Sequence, residues 1–135
     1  MAASQMTPQS QPIVSSGDDE ARARVVTKAV RAACRRLGLR QREVAVMLGL
    51  SESTVSRLMH GGYLLREGDK PYELGVLLVR LFRSLDALVG GDEGVARAWL
   101  RAENDALGGR PVHRLAEITG VMDVLAYLDA RRACL

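Results

Sequence analysis

Apolar side chains recur every three or four residues along most of the chain, a spacing typical of helices that bury one face. The first of these segments predicts a helix that begins near Asp18 and ends at Gly38. Two shorter segments predict helices over residues 41–48 and 52–59, joined by a turn at residues 49–51. The buried stripe expected on the first helix consists of Val25, Val26, Ala29, Val30, Ala33, Cys34 and Leu37.

The second half of the chain has the same helical spacing. Pro71, a favourable first-turn residue, opens a long leucine-rich helix, and further helices are expected from Asp92, from Pro111 and over residues 121–135. Only 4% of the residues are aromatic and no segment alternates as a strand does, so we expect an all-α fold. The apolar faces expected here are Leu74, Leu77, Leu78, Leu81, Phe82, Leu85 and Leu88, then Val95, Ala96, Trp99 and Leu100, and then Val112, Leu115, Ala116 and Ile118.

Composition limits the class of protein. Residues 1–17 carry no charged side chain, which predicts a disordered leader rather than a secretory signal, since such signals begin with basic residues. The most apolar segment, residues 74–82, is shorter than the ~20 residues of a membrane span and contains Arg80. The two cysteines, Cys34 and Cys134, lack the spacing of a metal site or a disulfide framework. We therefore expect a cytoplasmic protein with no membrane segment.

Positive charge is concentrated in the first half of the chain. Residues 18–60 contain nine Lys or Arg and five Asp or Glu, which gives a net charge of +4. Residues 61–135 contain ten Lys or Arg and eleven Asp or Glu, which gives a net charge of −1. A basic half is the pattern expected for a polyanion partner, although a charge of +4 is also common on solvated surfaces. Charge alone leaves both interpretations open.

The segment LGLSESTVSRLMHGG, residues 48–62, has the features of a helix-turn-helix. Gly49 permits the positive φ of the turn, Ser51 can cap the following helix, and Val55 and Leu58 can point into the core. The opposite face carries short polar side chains that are poor helix formers in solvent but allow a close approach to DNA. The side chains expected to contact DNA are Arg40, Gln41, Ser51, Glu52, Ser53, Thr54, Ser56, Arg57 and His60.

Several of these side chains have a DNA group that they can bind. Arg57 can pair with a guanine, and Ser53 and Thr54 can bond base edges or phosphates. Arg40 and Gln41 can hold backbone phosphates at the start of the preceding helix. The alternative interpretation is a solvated helical hairpin that binds no nucleic acid.

Two parts of the sequence resemble known families. The run LRQREVAVMLGLSESTVSRLMHG resembles the Xre, or Cro and phage-repressor, class of helix-turn-helix proteins, in which a Ser or Thr cap usually stands at the place of Arg40. From Tyr72 onward, the chain resembles the C-terminal toxin-binding domain of the Xre/MbcA/ParS antitoxin family. The residues at matching positions are Trp99, Leu100, Asn104, Leu107, Gly108, Gly109, Pro111, Leu115, Gly120, Val121 and Leu125.

Together these resemblances imply an antitoxin that binds and silences a cognate RES-domain toxin, an enzyme that consumes NAD, and that represses its own operon. Operator DNA is then the second partner, and because half-sites are read by symmetric pairs we expect at least a homodimer on DNA. The expected organisation is a leader (residues 1–17), an Xre-like DNA-binding domain (residues 18–70) and a helical toxin-binding and dimerisation domain (residues 71–135).

The last helix and the tail, residues 121–135, are the segment that we expect to contact the toxin, because Tyr and Arg often dominate interfaces. The alternatives are that this helix only closes the core, and that Trp99 only anchors packing. The side chains expected to face the toxin are Trp99, Arg110, Met122, Tyr127, Arg131, Arg132 and Leu135.

Two other functions are compatible with the sequence: a stand-alone dimeric repressor, and a helix-turn-helix that serves only as a protein-interaction module. An enzyme is not indicated, because no Ser or Cys is paired with a His and no glycine-rich phosphate loop follows a strand. His60 and His113 lie in unrelated contexts. We therefore expect no cofactor and no metal.

Overall fold

The computed structural model describes residues 16–134, and these residues form seven α-helices. No strand occurs in that range, where the β-type pairing is one antiparallel bridge between Asn104 and Gly109. The predicted all-α fold is confirmed. Helix α1 spans Ser16–Leu37, α2 Gln41–Leu48, α3 Glu52–Met59, α4 Lys70–Leu88, α5 Glu93–Arg101, α6 Pro111–Arg114 and α7 Ile118–Ala133, with a 3₁₀ turn at Asp105–Leu107.

The first helix starts earlier than predicted, because Ser16 and Gly17, assigned above to the leader, are helical. The rest of the predicted leader, residues 1–15, lies outside the described residues. Over residues 16–134, none of the helices combines the length and the apolar character that a membrane span requires.

The buried face of α1 differs from the predicted stripe. Val25 is 68% exposed, so its prediction as a core residue is wrong, and Ala29 is only half-buried. Thr27 is fully buried instead, and its Oγ1 accepts a hydrogen bond from the Leu65 backbone N–H at 2.9 Å. A polar side chain can occupy the core here because this bond satisfies it. The residues of α1 that are buried are Ala23, Thr27, Val30, Ala33, Cys34 and Leu37.

Helix α4 lies at the centre of the molecule, where it packs mainly against α1 and α7. Leu78, Leu81 and Leu85 are fully buried in this packing. Gly75 allows a close approach to α1, since a Cβ at this position would lie 2.9 Å from Val30 Cγ2. One continuous core therefore extends from the helix-turn-helix to the C-terminal helices.

Three apolar positions predicted to be buried in the second half are exposed. Val95 is 49% exposed, and the inner face of α5 consists of Ala96 and Leu100. Ala116 is exposed and Ile118 is 51% exposed. Helix α6 has only one turn and the chain changes direction after it, so the spacing of a single helix does not hold from residue 112 to residue 118.

The turn and the cap of α3 are as the sequence predicts, whereas the start of α2 is capped by a different residue. Gly49 adopts φ 69°, and Ser51 Oγ accepts a hydrogen bond from the Thr54 backbone N–H at 3.1 Å. At the start of α2, where Arg40 replaces the usual Ser or Thr, the Glu43 carboxylate accepts a hydrogen bond from the Arg40 backbone N–H at 2.8 Å. Glu43 therefore supplies the cap that the side chain at position 40 does not.

Arg101 at the end of α5 forms an ion pair with Glu43 at the start of α2. Its Nη1 and Nη2 donate to the two carboxylate oxygens of Glu43 at 3.0 and 2.8 Å, and Nη2 also donates to the Gly38 carbonyl at 3.0 Å. Both side chains are less than one third exposed. The hydrogen bond from Arg101 holds the pKa of the Glu43 carboxyl below its ordinary value. Arg97 adds bonds to the carbonyls of Arg35 and Arg36, so α5 fixes the corner between α1 and α2.

Replacing Arg101 with Gln is expected to lower the free energy of unfolding at pH 7 by about 1.5–3 kcal/mol, the range for hydrogen bonds to charged groups. Because folding lowers the pKa of Glu43, this stabilisation is present above the ordinary glutamate pKa of about 4.3 and is lost as the pH falls through the lower folded-state value. Urea unfolding at pH 7 and pH 3 checks this: the difference between the wild-type protein and the variant should shrink at pH 3.

The matched control is Arg24→Gln, which removes an exposed pair with Glu20 on one face of α1. Exposed pairs of this kind contribute about 0.5 kcal/mol or less, so this variant should unfold almost as the wild-type protein does. A deficit of Arg101→Gln that is the same at both pH values would contradict the ion-pair explanation.

Candidate functional site

The exposed face of α3 gathers most of the residues predicted to contact DNA. Val55 and Leu58 are fully buried against the core, so the opposite face of α3 points toward solvent. Glu52, Ser53 and Arg57 are exposed. The structure places all nine predicted residues at exposed or half-buried positions, the half-buried ones being Thr54 and Ser56.

Hydrogen bonds order the side chains on this face. Ser51 Oγ donates to Thr54 Oγ1 at 2.8 Å, and Arg57 Nη2 donates to the same Thr54 oxygen at 3.2 Å. The Arg57 guanidinium also lies 6.0 Å from the ring centroid of Tyr63, a residue for which the sequence pattern predicted no role. His60 closes the helix, with Nδ1–H donating to the Ser56 carbonyl at 2.7 Å. Arg57 is thus positioned by weak, exposed contacts that it can exchange for a base edge.

Two arginines of α1 hold the end of α3. Arg31 Nε donates to the Leu58 carbonyl at 3.0 Å, and Arg35 Nη2 donates to the Met59 carbonyl at 2.9 Å. Cations at a helix C-terminus satisfy carbonyls that have no partner within the helix and match the helix dipole. Sequence spacing predicted neither contact, because the partners lie 27 and 24 residues apart. The orientation of α3 therefore depends on α1.

A second cluster forms where α5 meets α7. The rings of Trp99 and Tyr127 are stacked, with centroids 6.0 Å apart and planes inclined by 28°. The Arg131 guanidinium lies 5.1 Å from the centroid of the Tyr127 ring. Both aromatic rings are half-buried, and Arg131 is exposed. This aromatic cluster, Trp99, Tyr127 and Arg131, is an amphipathic surface at least partly open to solvent.

The other residues predicted to face the toxin lie elsewhere. Arg132 Nη1 donates to Ser84 Oγ at 3.1 Å, on the side of α7 that faces α4. Arg110 pairs with Glu103 at 3.3 Å before α6, and Met122 is 46% exposed near the start of α7. Leu135 lies outside the described residues. The structure therefore brings together three of the seven predicted residues and separates Arg110, Met122 and Arg132 from them.

Cys34 is not a candidate nucleophile. The side chain lies on the buried face of α1, and this burial raises the pKa of the thiol to about 12. A thiol with such a pKa stays protonated at neutral pH, and only the thiolate is a good nucleophile. Its place in the core is that of a small apolar residue.

Two family models match the chain. The model of the antitoxin Xre-like helix-turn-helix domain matches residues 16–80, and the model of the antitoxin Xre/MbcA/ParS C-terminal toxin-binding domain matches residues 84–133. The chain belongs to the Xre family of antitoxins. A search of the curated proteins found no match.

The two matched ranges of this Xre antitoxin meet inside α4. The first range contains α1 to α3, with the exposed face of α3, and the second contains the aromatic cluster. The ion pair between Arg101 and Glu43 joins one range to the other. The antitoxin thus presents two separate surfaces on one continuous core.

Proposed function

We propose that this Xre antitoxin binds and neutralises a cognate RES-domain toxin that consumes NAD, and that it represses its own operon through the helix-turn-helix. It acts in the cytoplasm, where both the operon and the NAD pool lie. On DNA it is at least a homodimer, because helix-turn-helix proteins read half-sites as symmetric pairs. The predicted division at residues 70 and 71 assigns the first function to the C-terminal part and the second to the N-terminal part.

The observation that carries this proposal is the pair of separate surfaces. The face of α3 presents short polar side chains and Arg57, as close contact with a DNA groove requires. The aromatic cluster presents stacked rings and a guanidinium at least partly exposed to solvent, and Tyr, Trp and Arg are the side chains that most often carry interface energy. A repressor alone would need only the first surface and a dimer contact.

Co-expression with the product of the neighbouring open reading frame, which we expect to be the RES-domain toxin, tests the partnership. The proposal predicts that the two proteins purify together and that the complex, or the antitoxin alone, shifts the DNA upstream of the operon in a gel. Binding to DNA without co-purification would favour the stand-alone repressor. Co-purification without any DNA shift would favour a helix-turn-helix that serves only as a protein-interaction module.

Arg57→Ala is expected to weaken operator binding by about 1–3 kcal/mol and to relax specificity at one base position. The guanidinium is the largest donor on the face of α3, and its present contacts to Thr54 and Tyr63 are exposed and weak. Titration of operator DNA and of single-base variants of that DNA measures both effects. Neutralisation of the toxin should be unchanged, because Arg57 lies outside the toxin-binding range.

The control for this variant is Arg24→Ala, which removes the same charge from an exposed position on α1. Its operator affinity should fall much less than that of Arg57→Ala. Equal affinities of the two variants would mean that Arg57 contributes charge alone and reads no base.

A further inference from the structure

A basic concavity lies between the start of α2 and the start of α6. It has a volume of about 240 Å³, and both halves of the chain contribute to it. Arg40 and Arg42 line it from the helix-turn-helix, and Arg110 and His113 line it from the C-terminal part. Arg110, predicted from the sequence to face the toxin, therefore lies beside two arginines of the helix-turn-helix range.

The charges in this concavity are not balanced. Four arginines line it with a single carboxylate, Glu43, and Arg101 occupies both oxygens of that carboxylate. The Arg42 guanidinium makes no hydrogen bond or ion pair with any residue in the range 16–134. Arg110 pairs only with Glu103, and both of these side chains are more than half exposed, so the pair is weak. Arg40, Arg42 and Arg110 therefore form one positive surface.

We propose that this surface holds the phosphate backbone of DNA beside the groove that α3 enters, so that Arg110 carries a DNA contact from the toxin-binding part of the chain. The inference rests on the proposed DNA binding and extends it to a second element. Guanidinium groups bind phosphate oxygens in a bidentate manner, and a concave site with several of them concentrates positive potential. Arg40 continues this surface directly into the helix-turn-helix, at the start of α2.

The test measures binding to two duplexes of equal length, the upstream operator DNA and an unrelated sequence, at several salt concentrations. Loss of one phosphate contact lowers affinity about eightfold at 0.1 M salt and makes the slope of log K against log salt shallower by about 0.9. Arg110→Gln should show this loss equally on both duplexes, because phosphates carry no sequence. Arg57→Ala, in contrast, should lose affinity mainly on the operator. In the double variant Arg42→Gln, Arg110→Gln, the slope of log K against log salt should become shallower by about twice as much as in the single variant.

Two control variants make the test specific to this surface. Arg83→Gln removes the same charge from an exposed position on α4, outside the concavity, and should leave the slope unchanged. Glu103→Gln frees Arg110 from its ion pair and should raise affinity on both duplexes. The melting temperature of Arg110→Gln should equal that of the wild-type protein, because the side chain is exposed.

The outcomes separate this inference from the proposed function. If the wild-type protein binds the operator and Arg110→Gln binds both duplexes equally well, the inference is wrong and DNA binding by α3 stands. Equal effects of Arg83→Gln and Arg110→Gln would also overturn it, since net charge would then explain the loss. A fall in toxin neutralisation without a change on DNA would return Arg110 to the toxin-facing surface. If the wild-type protein binds neither duplex, the proposed DNA function fails as well.

Discussion

Gly120→Ala is expected to destabilise the protein by at least about 3 kcal/mol, a large part of the 5–15 kcal/mol that stabilises a typical domain. A Cβ at this position would overlap the backbone carbonyl of Arg114. A backbone group cannot move aside by changing rotamer, so α6 or α7 must shift as a unit. Such a shift would open the packing of Val121 and Val124, which are both fully buried. Urea unfolding of the variant measures the loss.

Gly94→Ala is the matched control, because the glycine lies in a helix and is exposed. A Cβ there would meet only the end of the Asp92 side chain, at 3.4 Å. Alanine restricts the unfolded chain more than glycine does, so this variant should be stabilised by about 0.4–1 kcal/mol. If Gly120→Ala is as stable as Gly94→Ala, α6 and α7 do not pack as closely as the structure shows.

Removal of residues 131–135 is expected to weaken toxin binding by at least about 2 kcal/mol, which is roughly thirtyfold in affinity. The deletion takes away the guanidinium beside the Tyr127 ring and part of the last turn of α7. Folding should survive, because the last fully buried side chain of α7, Leu128, remains in place. Titration of the toxin with the shortened protein, followed by the rate of NAD loss, measures the effect.

Two single substitutions locate the contact within this segment. Arg131→Ala should reproduce most of the loss, because Arg131 belongs to the aromatic cluster. Arg132→Ala should have a smaller effect, because Arg132 is bonded to Ser84 on the other side of α7. Full suppression of NAD loss by a shortened protein that still folds and binds DNA would show that the inhibitory contact lies on the body of the domain.

The helices could be predicted because their signals are local, although α1 begins at Ser16 and α7 at Ile118, both earlier than predicted. Apolar spacing located every helix, and Gly49 and Ser51 marked the turn between α2 and α3. The face of α1 was predicted less well, because hydrophobicity favours Val25 over Thr27. The spacing of Ala23, Thr27 and Val30 fits one face of a helix, but only the bond from Leu65 shows why a threonine lies in the core.

The contacts that join the two halves of the chain could not be predicted from one sequence. Arg101 and Glu43 are 58 residues apart, and each alone looks like an ordinary surface charge. The same holds for the concavity between Arg42 and Arg110, whose residues are neighbours only after folding. The stack of Trp99 on Tyr127 joins two side chains that were predicted separately as toxin contacts. Local patterns identify which side chains are unusual, whereas their grouping depends on the packing of distant helices.

Antitoxin activity is measured most directly as the rate of NAD loss caused by the proposed partner, a purified RES-domain toxin, with and without one equivalent of this protein. We expect the full-length antitoxin to suppress NAD loss, and Arg57→Ala to suppress it equally well, because the surfaces proposed to bind toxin and DNA are separate. Unchanged NAD loss in the presence of an excess of folded, DNA-binding protein would show that the protein is a repressor without antitoxin activity toward that enzyme.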